Sequence, residues 1–237
     1  MKEMQGERSP LIDIIDVRAG VEEENEKHAA EVRAYCREHG IFLINLMASP
    51  GAGKTTVLCR LIDALKDRYS IGVIEADVDA DVDARTVSAH GAKAVQLHTG
   101  GSCHMDGGMT LEGLKALGPD HPEVIILENI GNLVCPAEFD VGADLKLMIL
   151  SVPEGDDKPL KYPLMFTVSE CLLINKTDTA EIFDFSLDHC RENIRPLNPS
   201  MPVFPLSGKT GEGFEPFLSW LTERIGIRKG ESAHESH

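Results

Sequence analysis

Ala48-Ser49-Pro50-Gly51-Ala52-Gly53-Lys54-Thr55-Thr56 is a glycine-rich run between two segments of different character. The apolar segment 41–47 before it predicts a strand, and the segment 55–68 after it predicts a helix. Glycines let such a turn fold around phosphate oxygens with its N–H groups pointing inward, and the helix N-terminus adds partial positive charge. The run therefore predicts a phosphate-binding loop, although Ala48 stands where the strict G-x-x-x-x-G-K-[ST] pattern has glycine.

The side chains of this loop suit a nucleoside triphosphate with its metal ion. Lys54 is expected to reach the β- and γ-phosphates, and the Thr55 hydroxyl to hold Mg²⁺. The loop residues predicted to contact the nucleotide are Gly51, Ala52, Gly53, Lys54, Thr55 and Thr56.

Predicted strands and helices alternate along the rest of the chain. Strands are expected at 71–76, 92–97, 124–127, 145–152, 171–174 and 203–206, and helices at 84–90, 110–117, 186–197 and 214–225. Buried strands separated by helices predict an α/β fold with a doubly wound, mostly parallel sheet flanked by helices. Ligands of such sheets bind at the carboxyl ends of the strands.

Length and composition favour one domain in a reducing compartment. The 237 residues are expected to form a single domain over 1–230, with an N-terminal helical extension at about 13–39 and a disordered tail at 231–237. The net charge of −16 argues against general nucleic-acid binding. Because the chain has neither a signal core nor a run of about 18 apolar residues, we expect no membrane span and a cytoplasmic location.

A second nucleotide signature ends the predicted strand at 124–127. Glu128 is followed three residues later by Gly131, which is the acidic-x-x-Gly pattern. Glu128 is expected to face the Mg²⁺ shell, and the small Gly131 to bring its backbone N–H close to the γ-phosphate.

Asn175-Lys176-Thr177-Asp178 follows another apolar strand and forms the N-K-x-D signature for guanine. Asp178 can accept hydrogen bonds from the ring N1–H and the exocyclic amine of guanine, which adenine does not offer in that geometry, so the signature favours GTP over ATP. Lys176 can lie along the base. The run Ser207-Gly208-Lys209 after the last strand fits a weaker base-contacting loop.

Four aspartates follow the strand at 71–76, namely Asp77, Asp79, Asp81 and Asp83. Carboxylates so close repel one another unless they face solvent or a cation. We assign Asp77 to the Mg²⁺ shell because it lies at the strand end, and Asp83 to orienting the attacking water. For Asp79 and Asp81, a solvated loop that caps the next helix remains an alternative.

Cys103 and His104 lie in a glycine-rich loop at a strand end, and Cys135 lies seven residues beyond Glu128. Thiolate and imidazole are good ligands for Ni²⁺ and Zn²⁺, and both loops are expected at the carboxyl edge of the sheet. A second subunit, Asp106 or water could complete the site. The other cysteines are expected to be structural or without function: Cys36, Cys59, Cys171 and Cys190.

Together these motifs resemble the hydrogenase nickel-incorporation GTPases (HypB), which are P-loop GTPases of the SIMIBI class. The resemblance rests on 49–55, 103–106, 128–140 and 175–178 and covers about residues 13–225, and the block 128–140 is its most specific part. It separates the chain from the urease accessory GTPases, whose Cys-Pro-His metal motif is absent here.

The resemblance implies a GTP-dependent homodimer that helps to load nickel into [NiFe] hydrogenase. It also implies metal ligation by Cys103, His104 and Cys135 at the subunit interface, and the small maturation protein HypA as a partner. The N-terminal Cys-x-x-Cys-Gly-Cys site and the His-rich stretch of many members are missing, so we expect metal handling in the GTPase domain. Alternatives are an accessory GTPase for another metalloenzyme such as urease, or a kinase or ATPase with the same phosphate loop.

Overall fold

Seven parallel strands form one sheet in the computed structural model, which describes residues 17–77 and 82–234. They are β1 (Phe42–Ala48), β2 (Ile71–Asp77), β3 (Lys93–His98), β4 (Val124–Glu128), β5 (Leu145–Ser151), β6 (Cys171–Asn175) and β7 (Val203–Pro205). Their order is β3-β2-β4-β1-β5-β6-β7, and every neighbouring pair is parallel. The predicted α/β fold is confirmed, and the sheet is entirely rather than mostly parallel.

The described helices cover both faces of the sheet. They are α1 (Val17–His39), α2 (Lys54–Leu65), α3 (Val82–Ala89), α4 (Gly107–Ala116), α5 (Cys135–Glu138), α6 (Lys158–Lys161), α7 (Pro163–Val168), α8 (Leu187–Ile194) and α9 (Phe214–His234). The final helix enters the range 231–237 where a disordered tail is expected, and residues 235–237 lie outside the described part of the chain.

Apolar side chains on both faces of the sheet form its core. All seven residues of β1 are buried, as expected for a central parallel strand. One face packs against α2 and α9, and the other against α1 and α4. A third cluster surrounds α7 and α8. This packing fixes the strands and leaves the loops at their carboxyl ends to carry polar chemistry.

The N-terminal helix α1 packs on the loops that follow β3 and β4. A Cβ atom on Gly107 would lie 2.6 Å from the backbone N of Ala29, and one on Gly142 would lie 2.5 Å from the Ala29 O. Only glycine allows so close an approach. The helix predicted as an extension is therefore in direct contact with the segments that bear Cys103 and Cys135.

A membrane crossing needs a helix that is both long and apolar, and none of the helices within residues 17–77 and 82–234 has both properties.

Candidate nucleotide and metal site

The phosphate loop connects β1 to α2 in the predicted strand-turn-helix arrangement. Gly51 and Gly53 have positive φ values of 73° and 94°, which side chains rarely adopt. Lys54 begins α2, so its N–H and those of Thr55 and Thr56 belong to a free helix N-terminus. This is the backbone arrangement that binds phosphate.

Asn175 holds two nucleotide loops together. Its side chain is buried, its Nδ2 donates to the Ala52 O at 2.9 Å, and its Oδ1 accepts from the Gly208 N at 2.9 Å. A Cβ on Gly53 would lie 2.6 Å from the same Nδ2. Asn175 was predicted to contact the nucleotide, and its hydrogen bonds in the structure are to the loops around it.

Lys176 lies beside the phosphate loop and Asp178 beside Ser207, and both side chains are more exposed than that of Asn175. Lys176 has a φ of 64°, and its Nζ donates to the Gly51 O at 2.7 Å. The Asp178 Oδ1 accepts a hydrogen bond from the buried Ser207 Oγ at 2.7 Å. The hydroxyl therefore orients the carboxylate predicted to read guanine.

The loop Ser207–Lys209 is fastened to helix α2. The Arg60 guanidinium donates to the backbone oxygens of Gly208 and Lys209. A cavity of about 720 Å³ is lined by Gly208 and Lys209 of this loop and by residues of α2 and of the α3 region, namely Thr55, Thr56, Cys59, Arg60, Asp63, Thr86 and His90. The two halves of the predicted nucleotide site are thus neighbours in space.

A smaller pocket of about 130 Å³ marks the expected γ-phosphate end. It is lined by Lys54, Glu128 and Gly131, and also by Glu75, which sequence reasoning missed. Glu75 and Glu128 are register partners on adjacent strands, and both are buried. Glu75 interrupts the apolar run of β2, and an acidic residue inside a predicted buried strand was the signal available in the sequence.

Gly131 lies against the phosphate loop, because a Cβ added to it would be 3.1 Å from the Pro50 Cα. Two carboxylates and an ammonium beside it form a cluster that suits a hydrated divalent cation on a phosphate. Thr55, at the start of α2, and Glu128 fit the predicted Mg²⁺ shell in donor chemistry.

The acidic segment after β2 is described only in part. Asp77 is the last residue of β2, and Asp83 lies in the first turn of α3. Asp79 and Asp81 lie outside the described residues.

The predicted metal ligands Cys103, His104 and Cys135 lie together. The sulfurs of the two cysteines are 2.7 Å apart, and the Cys103 Sγ is 3.6 Å from the His104 Nδ1. All three ligand atoms lie within 4.8 Å of one another. Two thiols and an imidazole at this spacing suit Ni²⁺ or Zn²⁺.

Local contacts act on two of these groups in opposite ways, since a raised thiol pKa disfavours the thiolate that binds a metal. The hydrogen bond with Cys135, followed by burial, raises the pKa of the Cys103 thiol. Burial lowers the pKa of His104, which favours the neutral imidazole that a metal requires. The His104 ring stacks on Phe139 with centroids 3.9 Å apart.

Asp106, one of the alternatives for completing the site, has another structural role. It is the N-cap of α4, and its Oδ1 accepts from the Met109 N at 2.7 Å. Within the described residues, the metal-ligating cluster consists of the two cysteines and His104.

The remaining cysteines lie in the protein interior. Burial raises the pKa of Cys36 and Cys190 to about 12 and also raises that of Cys171. Cys59 is buried as well. The burial of Cys59 and Cys171 agrees with their predicted structural role.

The family model described as "CobW/HypB/UreG, nucleotide-binding domain" matches residues 42–205. The hydrogenase maturation factor HypB of Rhizobium leguminosarum bv. viciae is 43% identical over 208 residues, which cover 88% of this chain and 70% of the relative. The hydrogenase/urease maturation factor HypB of Helicobacter pylori is 38% identical over 218 residues, with 90% and 87% covered.

Similarity to a solved structure extends over most of the chain. The crystal structure of HypB from Helicobacter pylori in complex with nickel superposes with a TM-score of 0.79 at 36% identity, covering 87% of this chain and 97% of that one. With its phosphate loop and its matches in sequence and structure, the chain belongs to the CobW/HypB/UreG family and, within it, to the HypB hydrogenase maturation factors.

Proposed function

We propose that this protein is a GTP-hydrolysing nickel metallochaperone for [NiFe] hydrogenase whose metal affinity depends on its nucleotide. The proposal rests on one continuous segment, which connects the expected γ-phosphate pocket to the metal-ligand cluster. Glu128 and Gly131 line the γ-phosphate pocket, and Cys135, at the start of α5, reaches the Cys103 sulfur. The seven residues from Glu128 to Cys135 span at most roughly 25 Å, so a shift at Gly131 acts on a metal ligand.

Guanine selection follows from the Asp178 carboxylate. Its hydrogen bond from Ser207 holds it in place, and Arg60 fixes the loop beside it. A carboxylate accepts from the two N–H donors of guanine and finds no such pair on adenine, which favours GTP and GDP over ATP.

Hydrolysis would be slow, as in P-loop switches without a built-in arginine finger. Lys54 would neutralise charge on the β- and γ-phosphates, Glu128 would act at the metal shell, and Asp83 would orient the attacking water. Mg²⁺, held by Thr55, Asp77 and Glu128, would supply further stabilisation of phosphate charge.

Nickel or zinc would be the cargo of the cluster of Cys103, His104 and Cys135. Support comes from the soft donor set and from the Helicobacter pylori relative, whose structure contains nickel. Three ligands leave one position for a further group. A second copy of the chain would supply it across a symmetric homodimer interface, as the family resemblance implies.

The partners would be those of hydrogenase maturation in the cytoplasm. A HypA-type protein would exchange metal with the homodimer, and the large subunit of [NiFe] hydrogenase would receive it indirectly. The hydrogenase maturation factors among the relatives support this assignment.

A decisive experiment combines nickel titration with light scattering. The protein is sized with GDP or a non-hydrolysable GTP analogue, each with and without Ni²⁺, while phosphate release is followed separately with GTP. We expect phosphate release and a dimer favoured by GTP and metal. Tighter binding of ATP than GTP, or equal Ni²⁺ affinity of wild type and Cys135→Ala, would contradict the proposal.

Urease maturation is a second candidate role. The Helicobacter pylori relative carries both hydrogenase and urease in its name. Complementation of strains lacking either maturation pathway would separate the two targets.

A further inference from the structure

Asn129 connects the nucleotide pocket to the metal loop through a single buried atom. Its side chain is fully buried, and its Oδ1 accepts from the Ile130 N at 2.9 Å and from the Met105 N at 3.1 Å. Its Nδ2 donates to the Asn45 Oδ1 at 3.1 Å, which fixes the amide orientation.

The two N–H groups held by this oxygen belong to different functional segments. Ile130 precedes Gly131, which lies against Pro50 of the phosphate loop and lines the γ-phosphate pocket. Met105 follows His104 directly and is itself fully buried. Hydrogen bonds between groups buried from water are costly to break, so the segments are more stably joined than an exposed contact would allow.

We propose that Asn129 is a positioning residue that transmits the nucleotide state to the metal ligands. The inference rests on the proposed function and adds a second route by which the bound nucleotide would affect the metal ligands. Cys135 responds to Gly131 through its own backbone, whereas Cys103 and His104 lie on the separate loop after β3. The Asn129 oxygen makes both loops follow the same movement at Gly131.

Asn25 provides a matched control in the same region. Its Oδ1 accepts from the Gly107 N at 2.9 Å, and its Nδ2 donates to the Asp140 O at 2.9 Å. This buried amide on α1 therefore also joins the loop after β3 to the segment after β4. Its side-chain hydrogen bonds reach neither Ile130 nor Gly131, so it sets the spacing of the loops without contacting the residues at the expected γ-phosphate position.

The test compares Ni²⁺ affinity with GDP and with a non-hydrolysable GTP analogue, each with Mg²⁺, read from the thiolate-to-nickel absorption. For wild type we expect a ratio of affinities in the range of about 5 to 150. Asn129→Ala should lower this ratio clearly below the wild-type value, and the remainder would be carried by the backbone from Gly131 to Cys135 and by the hydrogen bond from the Asn132 Nδ2 to the Cys103 O. Asn25→Ala should weaken Ni²⁺ binding with both nucleotides and keep the wild-type ratio.

Asn129→Asp tests the oxygen itself. The carboxylate retains an acceptor for Ile130 and Met105, and the Asn45 amide can rotate to donate to it, so the ratio should survive. If Asn129→Ala does not fold, Asn129→Ser replaces it, since its hydroxyl is too short to reach Met105, and the ratio should again fall below the wild-type value.

The outcomes separate the two proposals. A wild-type ratio of one would overturn both the proposed function and this inference. If the ratio of Ni²⁺ affinities differs from one in the wild type and is the same in Asn129→Ala or Asn129→Ser, only the inference is overturned. Folded Asn129→Asp without coupling would also overturn it, because the acceptor oxygen is then not the connecting atom.

Discussion

The thiol sulfurs of Cys103 and Cys135 lie 2.7 Å apart although 32 residues separate the two cysteines in sequence. Parallel strands explain this proximity, since Cys103 follows β3 and Cys135 follows β4, and both strands flank β2 in the sheet. Loops after strands at one sheet edge meet, however long the connection between them.

We expect this pair to form a disulfide under mild oxidation when no metal is bound. Diamide would accept the two electrons and protons of the thiols, and the sulfurs need to approach only to about 2.05 Å. Thiol counting after denaturation should show two thiols lost, and prior addition of Ni²⁺ should prevent the loss. The Cys103→Ser variant should form no disulfide within the chain, since Cys36, Cys59, Cys171 and Cys190 are buried. Oxidation that is indifferent to Ni²⁺ would argue against a shared metal site.

The second prediction changes the base that the protein selects. Asp178→Asn replaces an acceptor by a donor, while xanthine carries a carbonyl where guanine carries its amine. The variant should lose GDP affinity by about 100-fold or more and gain affinity for xanthosine diphosphate. Competition against a fluorescent nucleotide measures both. Unchanged GDP affinity would remove Asp178 from the base site.

The third prediction compares two glycines of the phosphate loop. Both have positive φ, so alanine at either position is strained by roughly 1–2 kcal/mol. Gly51 has nothing within 4 Å of an added Cβ, whereas that of Gly53 would lie 2.6 Å from the Asn175 Nδ2. Calorimetric titration should therefore show a much larger loss of GDP affinity for Gly53→Ala. Equal losses would mean that the Asn175 side chain can move away from the added methyl group without reducing GDP affinity.

The sequence predicted the fold and the site clusters because these depend on local signals. Apolar strand runs and motifs at strand ends place Lys54, Glu128 and Cys103 at one edge of a parallel sheet. The very short helices α5, α6 and α7 were missed, since four to six residues show no helical period, and a proline at their start was the only signal.

Residues that act through long-range contacts stayed outside sequence reasoning. Glu75 gains its neighbour Glu128 only when β2 pairs with β4. Asn25 and Asn129 are ordinary polar residues in sequence. The backbone N–H groups that donate to their side chains lie 82 and 24 residues away. Nothing in a single sequence indicates which backbone N–H groups a buried amide will bind.

The last prediction concerns His121, which lies in a cluster of rings away from the metal ligands. Its ring centroid is 4.2 Å from that of His39 and 5.4 Å from that of Tyr35, and its buried Nδ1 has no hydrogen-bond partner among the residues that the structure describes. Burial, followed by repulsion from His39 and Lys93, lowers the pKa of His121, and Asp120 opposes the shift.

The sign of the pH effect follows from this depressed pKa. Below the ordinary histidine value of about 6.5, the unfolded chain binds a proton that the folded protein resists, so stability falls as the pH drops through this window. Because the ring is partly exposed, solvent screening keeps its contribution well below the limit of about 1.4 kcal/mol per pH unit that one proton allows. Urea unfolding at pH 7.5 and 5.5 should therefore show a smaller acid loss for His121→Gln than for wild type.

His39→Gln separates the two causes of the shift. Because burial is the larger cause and remains, NMR titration of His121 in this variant should give a pKa that rises but stays below the ordinary value. Titration of His121 at or above that value in the wild-type protein would mean that the ring is hydrated, and the acid sensitivity would then have to come from another group.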